Sequence, residues 1–175
     1  KEVLDDEPET QKTIYDILKS ANVSIFLTGH WHPFKKIISH HPGFLEVVCG
    51  DLTTHRRFGL ITIDNGRLSF HDGKIDNPIK FVVTHPIPIN QLSPQTVFND
   101  KNTEVRVLAF TDRTDLKILA AFTSDDCSFV LNKVKLNYIR ETKNGAMLYS
   151  APIPTNLSYN CKYHLTLSGD LFKGK

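Results

Sequence analysis

Two histidines separated by one residue form the pattern in this sequence with the clearest chemical meaning. His30 and His32 lie in the segment 28–33, which reads TGHWHP. Imidazole is the commonest neutral nitrogen ligand of Zn, Fe, Mn and Ni ions in proteins. On such a loop both imidazoles can point into one cleft while Trp31 points elsewhere. The pattern predicts that His30 and His32 bind metal and that Trp31 packs as a wall of the cleft; backbone-bonded loop histidines are the alternative.

The elements before this loop indicate how it is positioned. Residues 9–21 place four apolar side chains at helical spacing and predict an amphipathic helix. Residues 23–27, VSIFL, predict a short strand covered on both faces. A helix, a buried strand and a glycine-containing loop are the layout of an α/β unit, in which ligands bind at the carboxyl ends of the strands. The histidine loop lies at that end.

Three further apolar runs follow the loop, at residues 43–49, 58–63 and 67–70. The last two are joined by Asp-Asn-Gly, and Asn-Gly between apolar runs is a strong hairpin signal. We therefore predict that residues 1–78 form the closing C-terminal edge of a layered α/β domain.

Residues 79–175 have a different pattern. Short strands recur at intervals of roughly 10 to 15 residues with turn residues between them, which predicts an antiparallel immunoglobulin-like β-sandwich. The Cys…Trp…Cys signature of antibody domains is absent, because the only tryptophan is Trp31. The fold class predicted for the whole chain is therefore α+β.

The overall composition excludes some functions. Twenty-one Lys and Arg against 19 Asp and Glu give a formal charge of +2, without a long basic run, so nucleic-acid binding has no support. No run of about 18 apolar residues predicts a transmembrane helix. Residues 1–8 lack an initiator Met and are acidic, unlike a signal peptide, so we expect the chain to derive from a longer protein.

Three cysteines and two glycosylation sequons bear on the cellular compartment. The cysteines have no C-x-x-C spacing, so the sequence allows one disulfide, for which Cys127 and Cys161 are the favoured pair over Cys49. The sequons begin at Asn22 and Asn156 and matter only in a secretory compartment. Asn156 is the better candidate, since Asn22 immediately precedes a predicted buried strand.

Other ionisable residues have ordinary explanations. They are the histidine pair 40–41, Asp51, the arginine pair 56–57 and the acidic pair 125–126. The histidine pair could assist a phosphate site, but a solvated pair explains it as well. Asp51 repeats the letters of a Gly-Asp metal block, yet we predict a turn or cap residue. The arginines fit a half-exposed strand face or a phosphate contact, and the acidic pair lacks the spaced ligands of an EF-hand.

The segment 27–33, LTGHWHP, resembles the last metal-binding block of the calcineurin-like metallophosphoesterases. In that family the G-H-x-H loop supplies one histidine to each of two adjacent metal ions. The resemblance implies that His30 binds the second metal and His32 the first. The cofactors it implies are two divalent ions (Mn, Fe or Zn), and the substrate is a phosphoester.

A second, more diffuse resemblance points to a branch of that family. The segments 43–47, 50–51, 57–64 and 105–110, with Pro86, are similar to the transmembrane protein 62-like branch. There a phosphoesterase domain is followed by an immunoglobulin-like domain and membrane helices. This resemblance implies that residues 1–78 are the C-terminal portion of a phosphoesterase domain. It also implies that the intact protein is membrane-associated, with this chain on the lumenal or extracellular side.

The family's other ligand blocks are missing from residues 1–29, where D-x-H, G-D, G-N-H and G-H do not occur. Two imidazoles cannot hold two divalent ions about 3.5–4 Å apart. The resemblance therefore implies a part of a two-metal phosphoesterase that is inactive alone and needs the N-terminal phosphoesterase portion as its partner. The alternative function is a non-catalytic structural or protein-binding module of a larger membrane-associated protein.

Overall fold

The structure is a computed structural model, which describes residues 12–92, 104–124, 126–127, 132–157 and 161–170. The acidic start and Asp125 lie outside these residues. The chain forms two compact units. The first comprises Lys1–Pro78 with Ile87–Phe98, and the second comprises Ile79–Pro86 with Asn99–Lys175.

The first unit contains one α-helix and five strands among its described residues. In chain order they are α1 (Ile14–Ser20), β1 (Ile25–Thr28), β2 (Ile37–His41), β3 (Phe44–Val48), β4 (Arg57–Asp64) and β5 (Arg67–Lys74), followed by a 3-10 helix (Ile89–Gln91). The described strands of the second unit are β6 (Phe81–His85), β7 (Glu104–Ala109), β8 (Ile118–Thr123), β9 (Asn132–Glu141), β10 (Met147–Pro152) and β11 (His164–Gly169).

Helix α1 begins at a capping box. The Asp16 N–H donates to the Thr13 hydroxyl at 3.1 Å, and the Asp16 carboxylate accepts from the Thr13 N–H at 3.2 Å. These two bonds satisfy donors that the first turn of a helix otherwise leaves free. None of the residues of α1 is buried, so the predicted amphipathic helix exists as a short surface helix.

Strands β1, β3 and β2 form a three-stranded sheet with β3 at its centre. Strand β1 pairs with β3 in parallel, and β2 pairs with β3 antiparallel. The central strand supplies the buried side chains of this sheet: Phe44, Leu45, Val47 and Val48. In β1, by contrast, no residue is buried and Leu27 is 45% exposed.

The predicted fold class, α+β with the edge of a layered α/β domain, is wrong. The structure is mostly β, with 50% of residues in strands and 8% helical, and the described residues of unit 1 do not form a layered α/β domain. The prediction relied on the apolar run 23–27 being covered on both faces. A short apolar run does not show what covers it, and here α1 buries no residue that could cover β1.

Strands β4 and β5 form the predicted hairpin. Asp64 pairs with Arg67, which leaves Asn65 and Gly66 as a two-residue turn. Both have positive φ, 51° and 74°, as a type I′ turn requires. Asn and Gly are the residues that adopt this conformation at least cost, and the hairpin prediction is therefore confirmed.

The second unit is an antiparallel sheet in the order β11-β8-β9-β10-β7-β6. Its long strand β9 changes partners along its length. Leu136 pairs with Ile118 of β8, whereas Tyr138 pairs with Tyr149 of β10. The sheet curls into a half-barrel. The predicted antiparallel strands are present, but they belong to one curled sheet rather than to two separate sheets, and an immunoglobulin-like arrangement remains compatible with it.

A single cluster of buried apolar side chains forms the core of the second unit among its described residues. Its fully buried side chains include Val105, Val107, Ile118, Leu136 and Tyr149. The Tyr149 hydroxyl donates to the Arg113 carbonyl oxygen at 3.2 Å, so the polar end of this large side chain is satisfied.

A disulfide joins Cys127 and Cys161, which lie 34 residues apart with their Cα atoms at 6.0 Å. The predicted pairing is confirmed, and Cys49 is a free cysteine. Among the described residues, no helix has the length and apolar character needed to span a membrane.

Candidate functional site

The parallel pairing of β1 and β3 brings two loops together at one edge of the first sheet. Thr28 pairs with Val48, and the Cys49 N–H donates to the Thr28 carbonyl oxygen at 3.2 Å. The loop after β1 and the loop after β3 therefore leave the sheet side by side. A Cβ at Gly50 would lie 3.1 Å from the Pro33 carbonyl oxygen, so glycine permits this close approach.

The loop after β1 holds its two histidines in an uncommon backbone conformation. His30 and His32 have φ values of 72° and 47°. Positive φ is infrequent outside glycine and is enriched at functional sites. The Trp31 N–H donates to the Gly29 carbonyl oxygen at 2.9 Å and tightens the turn. The imidazole centroids lie 6.4 Å apart, and both histidines are exposed.

The loop after β3 supplies a carboxylate to this histidine loop. Asp51 Oδ2 lies 3.0 Å from His32 Nδ1 and 2.9 Å from His55 Nδ1. Its other oxygen accepts hydrogen bonds from the N–H groups of Thr54 and His55 and from the Thr53 hydroxyl. The turn role predicted for Asp51 is confirmed, and the contact with His32 is an addition that the sequence did not indicate.

These contacts fix which nitrogen of each imidazole is available. A carboxylate can only accept, so Nδ1 of His32 and of His55 carries a hydrogen, and in the neutral imidazole Nε2 keeps its lone pair. A carboxylate behind an imidazole is the usual arrangement that orients a metal-binding histidine and increases its basicity. The geometry thus prepares His32 to bind a cation through Nε2.

Asp51 carries its negative charge at neutral pH. Desolvation tends to raise the pKa of its carboxyl group, but the hydrogen bonds from the Thr54 and His55 backbone and from the His32 and His55 side chains outweigh it. The pKa of Asp51 is therefore held well below its ordinary value. The aspartate remains ionised behind the two imidazoles throughout the physiological range.

The aromatic residues of the loop differ in their contacts. Trp31 is 74% exposed, so it is not a packing residue among the described residues, and its role as a cleft wall stays a prediction. Phe34 packs edge-on against His55 at 5.5 Å, and the Arg57 guanidinium lies 5.1 Å from the Phe34 centroid. Phe34 thereby helps to hold His55 beside Asp51.

The described residues around His30 and His32 do not bring together the ligands of a complete metal site. Within those ranges, three His, Cys, Asp or Glu ligand atoms come within 4.8 Å of one another only at Asp126, Cys127 and Cys161. Two of these are joined in the disulfide and are unavailable to a metal. The metal-ligand role of His30 and His32 stays a prediction, and a complete site would need ligands beyond these residues.

The other histidines singled out in the sequence have structural partners. His40 Nε2 lies 3.1 Å from the Asn90 carbonyl oxygen. His41 Nε2 lies 3.0 Å from Glu46 Oε2, and its ring stacks on Phe44 at 4.9 Å. Neither histidine is brought to the His30 and His32 loop by these contacts.

The arginine pair and Asp126 are likewise engaged. Arg56 makes a forked contact with the Asp76 carboxylate, and Arg57 forms a largely buried ion pair with Asp72. Asp126 accepts hydrogen bonds from the Ser124 hydroxyl and from the Lys162 N–H. These contacts support structural roles.

His71, which the sequence did not single out, lies in a polar network of the β4–β5 hairpin. Its Nε2 is 2.9 Å from the Ser69 hydroxyl, which is 2.6 Å from the Thr62 hydroxyl. Burial and the nearby charge of Lys36 lower the pKa of His71 to about 4. The imidazole is therefore neutral in the folded protein at neutral pH.

We predict that His71 makes the first unit less stable in acid. The unfolded chain takes up this proton near the ordinary pKa of 6.5, whereas the folded chain resists it until about 4. Stability is thus lost as the pH falls from 6.5 towards 4, by on the order of 2 kcal/mol after allowance for solvent screening. Urea denaturation of wild type and His71→Gln across this range measures the effect. The unfolding free energy of wild type and of His71→Gln would depend equally on pH if the prediction were wrong. His164→Gln, in the second unit, is the control.

The chain was compared with protein-family models, with curated proteins and with solved structures, and none of these comparisons gave a match. The resemblance to the calcineurin-like metallophosphoesterases therefore stays a prediction from the histidine loop and the segments that follow it.

Proposed function

We propose that this chain carries the last metal-ligand loop of a two-metal phosphoesterase and supplies His30 and His32 as ligands. The observation that supports this most directly is the 3.0 Å contact between His32 Nδ1 and Asp51 Oδ2. It orients His32 at the carboxyl end of a parallel strand pair and leaves Nε2 as the binding nitrogen. The second unit is then an accessory β domain.

Bound divalent ions (Mn, Fe or Zn) would polarise the phosphoryl oxygens of the phosphoester substrate. The chain's own residues bind and orient. His32 holds one ion through Nε2, and His30, on the same turn with its ring centroid 6.4 Å away, holds the other. Asp51 keeps His32 in the binding tautomer, and His55 holds Asp51 in place.

The ligand count implies that this chain does not act alone. Two imidazoles neither neutralise nor enclose two divalent ions, and Asp51 is already engaged by two histidines. The remaining ligands would come from the N-terminal phosphoesterase portion, outside this chain. The isolated chain therefore binds metal weakly and does not turn substrate over.

The proposed location is the lumenal or extracellular side of a membrane, to which segments outside this chain would attach the intact protein. The Cys127–Cys161 disulfide supports the lumenal or extracellular side, since structural disulfides persist in oxidising compartments. Membrane attachment itself rests on the resemblance to the transmembrane protein 62-like branch.

Calorimetric titration of the 175-residue chain with Zn²⁺ or Mn²⁺ tests the ligand assignment. We expect weak, saturable binding that His30→Ala and His32→Ala each reduce about tenfold, because each variant removes one nitrogen donor. His164→Ala, in the other unit, is the matched control and leaves binding unchanged.

The outcomes separate the proposal from its alternative. Unchanged metal affinity in both loop variants, in the chain and in the intact protein, contradicts the ligand assignment and favours a structural or protein-binding module. Release of a phenol from an aryl phosphate by the isolated chain contradicts the incomplete site. Loss of both metal and activity from the intact protein in either variant supports the assignment.

A further inference from the structure

We propose that Asn156 is an N-glycosylation site, a role that is independent of the metal-binding loop. Asn156 begins the sequon Asn-Leu-Ser in the second unit. A sequon alone predicts little, because many occur by chance and only those that enter a secretory compartment can be used. Two features of the structure add evidence that the sequon is used. They are the exposed turn that carries Asn156 and the Cys127–Cys161 disulfide.

Asn156 lies on an exposed turn, and residues before and after it pack against the core. The Leu157 N–H donates to the Pro154 carbonyl oxygen at 3.3 Å and closes the turn. Ile153 and Leu157 pack against the core of the curled sheet, whereas Asn156 is exposed. The apolar neighbours thus anchor the segment, and a glycan on Asn156 can extend into solvent without displacing a core side chain.

The disulfide indicates that this unit resides in an oxidising compartment. Cys161 is five residues after Asn156 in the sequence and is bonded to Cys127. Structural disulfides are rare in the reducing cytosol and form where secreted proteins mature. Asparagine-linked glycans are added in proteins that follow the same route. The two features therefore require the same compartment and support each other.

The modification is a transfer from an oligosaccharide activated as a lipid diphosphate. A bond forms between Asn156 Nδ2 and C1 of the first sugar, while the bond from C1 to the diphosphate oxygen breaks. The lipid diphosphate leaves, and the amide nitrogen loses one proton. No oxidant or reductant is needed.

Asn22 provides an internal comparison. It also begins a sequon and is exposed. An asparagine at position 22 is explained by its role at the end of α1. Asn22 has a φ of 55°, and its N–H donates to the Lys19 carbonyl oxygen at 3.1 Å. Asparagine is, after glycine, the residue that commonly ends helices in this way. It also lies in the unit whose cysteine, Cys49, is free.

Peptide mapping of the protein expressed from its natural gene in eukaryotic cells tests the proposal. Digestion with peptide N-glycosidase F in heavy-oxygen water converts a glycosylated asparagine to labelled aspartate. We expect label at Asn156 in wild type and in Asn22→Gln. In Asn156→Gln and Ser158→Ala we expect no label at position 156 and a smaller undigested protein.

Each result decides the question. An unlabelled Asn156 peptide from the wild-type protein overturns the proposal, as does label at Asn156 in Ser158→Ala. The Cys127–Cys161 peptide, mapped without reduction in every variant, confirms that the unit has folded. Free thiols at Cys127 and Cys161 in the wild-type protein would remove the argument from the compartment. If Asn156 were also unlabelled, the proposal would be overturned.

Discussion

Replacing Cys127 and Cys161 together by serine is expected to lower the unfolding free energy by about 3 to 4 kcal/mol. The bond closes a loop between residues 34 apart in the sequence. In the unfolded chain such a closure removes conformational freedom that grows with the logarithm of the loop length. Without the bond, the unfolded state gains that freedom and the folded state gains nothing.

The effect belongs to the second unit and can be measured there. Hydrogen exchange in urea, followed by mass spectrometry, measures each unit through its own peptides, since both units contain strands. We expect the unfolding midpoint for peptides of the second unit to fall in the double variant while that for peptides of the first unit stays in place. Equal stability of the reduced and oxidised wild-type protein would contradict the prediction.

Cys49→Ser is the matched control, since Cys49 is free and closes no loop. It is partly buried, so its loss affects only local packing in the first unit. A comparable fall in stability for Cys49→Ser and for the double variant would show that the thiols act through packing and not through the cross-link.

The features that the sequence predicted correctly are local ones. Asn65 and Gly66 adopt positive φ at less cost than other residues. These two residues were therefore enough to predict the turn. The strands of the second unit follow from side-chain alternation, which is a property of each segment by itself. The pairing of Cys127 with Cys161 needed only the exclusion of the distant Cys49.

The features that the sequence did not reveal depend on pairing between segments. An apolar run at 23–27 does not state whether one face or two are covered, and β1 proved to have no buried residue. The division of β9 between two neighbours is likewise invisible in its letters, yet it accompanies the curl of the sheet. Layered and curled arrangements can thus share the same strand pattern.

The candidate site shows the same limit. His30 and His32 are separated by one residue in the sequence, and their pattern was recognisable. Asp51 was assigned to a turn because its Gly-Asp pair follows the histidine loop, in the wrong order for a family ligand block. Only the parallel pairing of β1 with β3 places it beside His32. A polar residue in the loop after each of two strands was the available signal, and it becomes informative once those strands are known to be parallel neighbours.

Asp51→Asn is expected to weaken metal binding by 10- to 100-fold, the usual cost of losing the carboxylate behind a metal-binding histidine. The asparagine oxygen can still accept from the Thr54 and His55 N–H groups and preserve the turn. The amide nitrogen, however, replaces an acceptor by a donor opposite His32 Nδ1. The imidazole then favours the tautomer with its hydrogen on Nε2, which removes the lone pair that binds the ion.

Titration of the variant with Zn²⁺ measures this effect, with two controls that separate its causes. Asp76→Asn removes the same charge from the Arg56 ion pair in the same unit, so it accounts for the change in net charge. His55→Ala leaves the contact between Asp51 and His32 in place, and we expect a smaller loss than for Asp51→Asn. If Asp51→Asn bound Zn²⁺ as tightly as Asp76→Asn while its unfolding free energy were unchanged, Asp51 would be a turn residue without a part in metal binding. A larger loss in Asp51→Asn than in His55→Ala and in Asp76→Asn instead identifies the aspartate as the group that positions the ligand.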